Sequence, residues 1–148
     1  MSAPDFYFAV NATARHLHDR YGMETLIDYW QSLGREYYAA RVAQWRAGGL
    51  RAIADDWRDY FLREPGGDVN VELDEDQVVL KIDVCPAIRH LRESGREIVP
   101  YFCDHCDHTC GAMAAAAGYQ FQRTGGQGRC EQRFFSAPAT PADPREEP

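Results

Sequence analysis

The texture of the chain changes once, at Pro65-Gly66-Gly67, and that change limits the fold more than any other feature. Before it, apolar residues recur every three to four positions. Leu26, Ile27, Trp30, Leu33, Tyr37, Val42 and Trp45 make one such stripe, and Leu50, Ile53, Ala54, Trp57, Tyr60 and Phe61 another. That period belongs to helices buried on one side. After it, Val69, Val71 and Leu73 alternate with polar residues, as do Val78, Leu80, Ile82 and Val84, which is the period of half-buried strands. The alternation returns at Tyr119, Phe121 and Arg123, and again from Arg129 to Phe135. Helices and strands are therefore segregated, which excludes a doubly wound parallel sheet. The expected fold is α+β: N-terminal helices, then two hairpins forming one antiparallel sheet, with a cysteine-bearing helix packed on it.

Local signals set the expected bounds. Asn11 reads as an N-cap for a helix over 12–21, with Gly22 as its terminator. A second helix is expected over 24–46, with a kink or a close helix contact at Gly34, ending at Gly48-Gly49. A third should follow over 50–63. Pro86 suits the first turn of a short helix over 87–94. The Ala-rich run after Pro100 predicts a helix over 104–117, closed by Gly118. The residues 1–135 read as a single domain. From 136 onward four prolines and no large apolar group predict a disordered tail over 136–148.

Charge narrows the function. Sixteen basic residues face 23 acidic ones, a formal charge of −7, so nucleic acid is not an expected partner. No stretch is apolar enough for a membrane span, and the first 18 residues lack the basic start of a secretory signal. A cytoplasmic protein is expected. No nucleotide cofactor is indicated, and the expected partner is a small molecule.

The cysteines carry the chemistry. There are five, and three fall in Cys103-Asp-His-Cys106-Asp-His-Thr-Cys110. On a regular helix Cys103, Cys106, Asp107 and Cys110 project at about 0°, 300°, 40° and 340°, while His105 and His108 project at about 200° and 140°. The thiols form one stripe and the imidazoles another, so one metal cannot use both. Cys85 ends one expected strand and Cys130 opens another, where a sheet under the helix brings them close to the stripe. Three readings stand. The cysteines are small core residues. Or Cys103, Cys106, Cys85, Cys130 and Cys110 ligate a metal, either zinc or an iron–sulfur cluster. Or Cys103, at a helix N-terminus, is a nucleophile with Asp104 or Asp107 as base or orienter. In that last reading His105 or His108 serves as base only if the backbone there departs from a regular helix.

The C-terminal half also resembles the L-2-amino-thiazoline-4-carboxylic acid hydrolase-like family. The matching features are Cys85-Pro86 after a strand, Cys103-Asp104 opening a helix, Gly118, Arg123-Thr124 on a strand, then Gly128, Cys130 and Phe134. The order of a helical half followed by a cysteine-bearing α+β half is similar too, and the likeness covers residues 12–135. It implies a hydrolase opening a cyclic C–N or C–S bond in a small molecule. Cys106 and Cys110 exceed the family pattern and favour a metal or cluster. A weaker likeness is to vinyl-reductase-type small-molecule-binding domains. The alternative function is a non-catalytic zinc or iron–sulfur module that senses or binds a ligand.

Overall fold

The computed structural model describes residues 3–137. Its elements are α1 (Ala3–Tyr21), α2 (Met23–Ser32), a π-helical segment (Leu33–Tyr37), α3 (Ala39–Leu62), β1 (Asp68–Leu73), β2 (Gln77–Val84), α4 (Pro86–Glu93), α5 (Asp104–Ala117), β3 (Tyr119–Gly126) and β4 (Arg129–Ser136). The fold is α+β, with helices first and one antiparallel sheet in the order β1-β2-β4-β3. Ser136 closes β4, and the remainder of the expected tail lies outside the described residues from 138 on. No helix among the described residues is long and apolar enough to cross a membrane.

Asn11 does not cap a helix. It sits in the middle of α1, which begins at Ala3. Its side chain is 2% exposed and serves a distant segment: Oδ1 accepts the Val99 N–H at 3.1 Å, and Nδ2 donates to the Glu97 carbonyl at 2.9 Å. An Asn with an acceptor and a donor looks the same in sequence whether it caps its own helix or pins a remote strand of backbone. Gly22 does end the helix, with φ 89°.

The expected helix over 24–46 is broken at Gly34. An added Cβ there would meet the Thr109 carbonyl at 2.6 Å and the Ala112 Cβ at 2.8 Å. The π-helical turn therefore lies where α5 crosses at backbone distance, and only glycine fits. Gly49, with φ 68°, interrupts α3 in the same way that Gly48-Gly49 divides the sequence pattern.

Two apolar clusters fill the molecule. Trp45, Ile53, Trp57, Met113, Ala114 and Phe134 join α3 and α5 to the sheet face that carries Val78, Leu80 and Ile82. Leu26, Trp30, Ile88, Leu91, Val99 and Phe102 join α1, α2 and α4. Cys85 packs against both clusters.

Candidate functional site

At the seam of the two clusters lies a cavity of about 160 Å³. Its wall is mostly apolar and rich in aromatic rings, with Tyr7, Trp30, Tyr38, Trp57, Tyr60 and Phe102 among the lining residues. Cys85, His105, Cys106, Cys110, Gln132 and Arg41 also line it.

The start of α5 decides which groups face this cavity. Its first bonds run from residue i to i−3: Asp104 N–H to Tyr101, His105 N–H to Phe102 and Cys106 N–H to Cys103. In such a turn neighbouring side chains project about 120° apart, so the conformation of the His105 side chain, not the backbone, brings its ring to Cys106. The His105 ring folds back, and its Nδ1 donates to the Phe102 carbonyl at 2.6 Å. A donating Nδ1 leaves Nε2 as an acceptor, and Nε2 lies 3.5 Å from Cys106 Sγ. Phe102 also meets the ring edge to face at 4.9 Å. The imidazole is thus oriented by one partner and presented to a thiol by the other.

Burial sets the charge state of this pair. It pushes Cys106 up to about 11 and moves His105 below its ordinary value. The resting pair is a neutral thiol beside a neutral imidazole. The Arg123 guanidinium opposes burial at Cys106, and so does a hydrogen bond from Gln132. Gln132 is 5% exposed on the sheet face beneath α5, between Cys130 and Phe134 along β4, and its amide also donates to Cys130 Sγ at 3.8 Å.

Cys103 lies on the other side of the same turn. It is not part of the cavity wall. Its sulfur accepts the Gln127 N–H at 3.4 Å from the β3–β4 hairpin, and burial still raises it. Asp107 is gripped bidentately by Arg123, at 2.9 and 2.7 Å, and Asp104 lies 3.8 Å from the same guanidinium. Both carboxylates therefore face the hairpin and not the cavity. His108 stacks on Trp30 at 5.9 Å.

The remaining thiols surround Cys106. Cys85, Cys103, Cys110 and Cys130 all lie near enough that an ionised Cys106 would disfavour their own ionisation. Burial raises all of them, Cys130 to about 11. They are neighbours without being a ligand set: among the described residues no three His, Cys, Asp or Glu side chains converge so as to hold a metal ion. The five-thiolate centre expected from the spacing is not assembled. The helical stripe places three thiols on one side of α5, but Cys103 turns toward the hairpin while Cys106 and Cys110 turn toward the cavity.

Two further residues contribute, Gln132 and Arg41. Gln132 carried a signal, because the alternation that points Cys130 and Phe134 inward points a polar amide inward between them. Arg41 carried none. Its Nε donates to Asp56 Oδ2 at 2.9 Å, and four rings surround its guanidinium, from Tyr38, Trp45, Trp57 and Tyr60, at 4.9 to 5.9 Å. Nothing in a helical stripe announces that cage.

Comparison with protein-family models, with curated proteins and with solved structures finds no match to this chain. What fold and site define together is an α+β chain with an oriented thiol–imidazole pair in the wall of a partly open, largely apolar cavity of about 160 Å³.

Proposed function

We propose that the chain is a thiol-dependent hydrolase of a small ring compound, with Cys106 as nucleophile and His105 as base. The observation that carries this is the 3.5 Å approach of His105 Nε2 to Cys106 Sγ, with Nδ1 tied to the Phe102 carbonyl. A nucleophile, a base within reach and a third group fixing the base are what covalent catalysis requires. The family resemblance of the sequence supports the class of bond, a cyclic C–N or C–S bond.

The chemistry follows from the neutral pair. With Cys106 at about 11, only roughly one thiol in ten thousand is ionised at pH 7. The proton must therefore leave as the bond forms. Cys106 Sγ attacks the electrophilic ring carbon while Nε2 takes the thiol proton. The Gln132 amide, which already reaches Cys106, donates to the heteroatom that gains charge. The ring C–N or C–S bond then breaks, and Nε2–H protonates the departing nitrogen or sulfur. Water attacks the resulting adduct, a thioester where the ring carbon was a carbonyl and a thioimidate where it was a thiazoline C=N, with Nε2 as base; the C–S bond to Cys106 breaks and the thiol is restored. The base step is worth about 10²- to 10⁴-fold.

The test is incubation of the full chain with thiazolines, hydantoins and lactams, with ring opening and an acyl adduct on Cys106 followed by mass spectrometry. Cys106→Ala should abolish ring opening and adduct together. Ring opening that persists in Cys106→Ala and His105→Gln overturns the assignment. A second reading is a non-catalytic ligand-binding module, favoured by the apolar, aromatic wall and by thiols that burial keeps protonated. Saturable binding without turnover of any ring would select it.

A further inference from the structure

We infer that the cavity selects a neutral single-ring molecule bearing a carbonyl-type acceptor, and that Trp57 and Arg41 read that acceptor. The inference extends the reading of this cavity as the substrate site, and it rests on groups that the proposed chemistry does not use.

Size comes first. A cavity of about 160 Å³ is close to the roughly 150 Å³ engineered apolar cavity that takes up benzene. One ring with a small substituent is what fits. The wall of stacked and tilted rings suits a flat apolar body.

The polar requirement comes from two donors on α3. Trp57 is 8% exposed and lines the cavity, and its Nε1–H has no acceptor among the described residues. By contrast the indole N–H of Trp45 donates to Asp56 Oδ2 at 2.7 Å. Arg41 Nη2 is equally buried. It lies 2.9 Å from Asp56 Oδ2 as an ion pair but makes no aligned hydrogen bond. The guanidinium lies over the Trp57 ring at 4.9 Å from its centroid, which brings the two donor-bearing side chains together on one side of the wall. A buried donor left without a partner is costly, and an oxygen from a ligand can serve both.

Charge decides between kinds of acceptor. Arg41 is the only cation of the cavity wall among the described residues, given the neutral His105, and Asp56 already matches its charge. A carboxylate ligand would place an unmatched negative charge in an apolar cavity, which is strongly unfavourable. A neutral carbonyl satisfies the donors at no such cost.

Three probes of nearly equal shape test this on the native chain: acetophenone, ethylbenzene and benzoate at pH 7. None contains a ring bond to hydrolyse, so the outcome is independent of whether Cys106 is a nucleophile. Calorimetry should find acetophenone bound about tenfold or more tighter than either of the others. Acetophenone should shift the Trp57 indole N–H resonance in NMR, with the Trp45 resonance, already engaged by Asp56, as the unmoved reference. Trp57→Phe should reduce the preference over ethylbenzene by at least half, and the resonance shift provides the same readout if that variant does not fold. Equal affinity for ethylbenzene, tightest binding of benzoate, or no binding of acetophenone would each overturn the inference.

Discussion

Cys103 and Cys106 stand one turn apart on the same helix, yet they live in different chemistry. Cys106 faces the aromatic cavity with an imidazole at 3.5 Å and a buried amide beside it. Cys103 faces the β3–β4 hairpin, with a backbone N–H at 3.4 Å and the Arg123–Asp107 ion pair nearby. Burial raises both thiols, but the larger effect falls on the cavity side, where Cys106 reaches about 11. A CxxC spacing therefore does not define one site here. Residues three apart in such a turn project to nearly the same side, so it is their neighbours, the hairpin for Cys103 and the cavity for Cys106, that separate the two thiols.

The widest separation between the two sides should be kinetic. Cys106→Ala should lower ring-opening turnover about 10³-fold or more, and His105→Gln about 10²- to 10⁴-fold. Cys103→Ala should leave turnover within about threefold of the native chain. Steady-state rates on any ring the chain opens check this. Equal losses at Cys103 and Cys106 would merge the two sides into one functional unit.

The next effect concerns what holds the cavity side in place. Asn11 fixes both the Glu97 carbonyl and the Val99 N–H, just before the segment that delivers Phe102 to His105. Asn11→Ala strips a buried backbone donor of its partner and leaves a hole. It should cost about 3 kcal/mol in urea unfolding. It should also reduce turnover more than Cys103→Ala does, because the carbonyl that orients His105 rides on that segment. A loss below about 1 kcal/mol would show that the segment is held by packing alone.

Local periodicity made much of this architecture readable. Both hairpins, the α4 and α5 segments and the break at Gly34 follow from spacing and glycine placement, and the structure has them. Long-range partners were not readable. The bond from Asn11 spans 88 residues, and the sequence offered only a local use for that side chain. His105 and Cys106 project about 100° apart on a regular helix, and that spacing does not show that the His105 ring folds back onto the Phe102 carbonyl and reaches Cys106 Sγ. Arg41 and Asp56 meet across the Gly49 bend, and no periodicity encodes where a bend returns a chain.

Proton linkage gives a third and smaller separation. The folded chain holds the Cys106 proton up to about 11, whereas an unfolded thiol releases it near 9.0. Between those values the folded state binds more protons, so stability falls as pH rises. The two-unit difference corresponds to about 2–3 kcal/mol, fully present below pH 9 and lost by about pH 11. Tyr7 and Tyr60, both raised by burial, add slopes of the same sign. The difference between native and Cys106→Ala unfolding curves isolates the thiol. A Cys103→Ala difference curve of equal steepness would contradict the contrast in burial.

A fourth test acts on the contact that sets the cavity-side geometry. Gly34→Ala drives a Cβ to 2.6 Å from the Thr109 carbonyl, and backbone must move to admit it. The expected loss is about 2 kcal/mol, read by thermal unfolding. Thr109 Oγ1 donates to the Trp30 carbonyl at 3.2 Å, so the displacement is passed to α2 and to the ring on which His108 stacks.

The smallest effect belongs to the hairpin side. Arg123 holds Asp107 at 2.7 Å, but that carboxylate is 37% exposed, and an ion pair so open to water contributes under about 1 kcal/mol. Arg123→Met should therefore barely move the unfolding midpoint. Reactivity is the more sensitive readout, because the guanidinium favours the thiolate of Cys103 against burial. Its removal should slow iodoacetamide labelling of Cys103 about threefold at pH 8. Cys106 also feels Arg123, yet its thiol reacts through His105 with the proton in transit, so turnover should change less than labelling. Turnover that fell more than Cys103 labelling would mean that Arg123 serves the cavity pair, and that the two sides of the turn are electrostatically one.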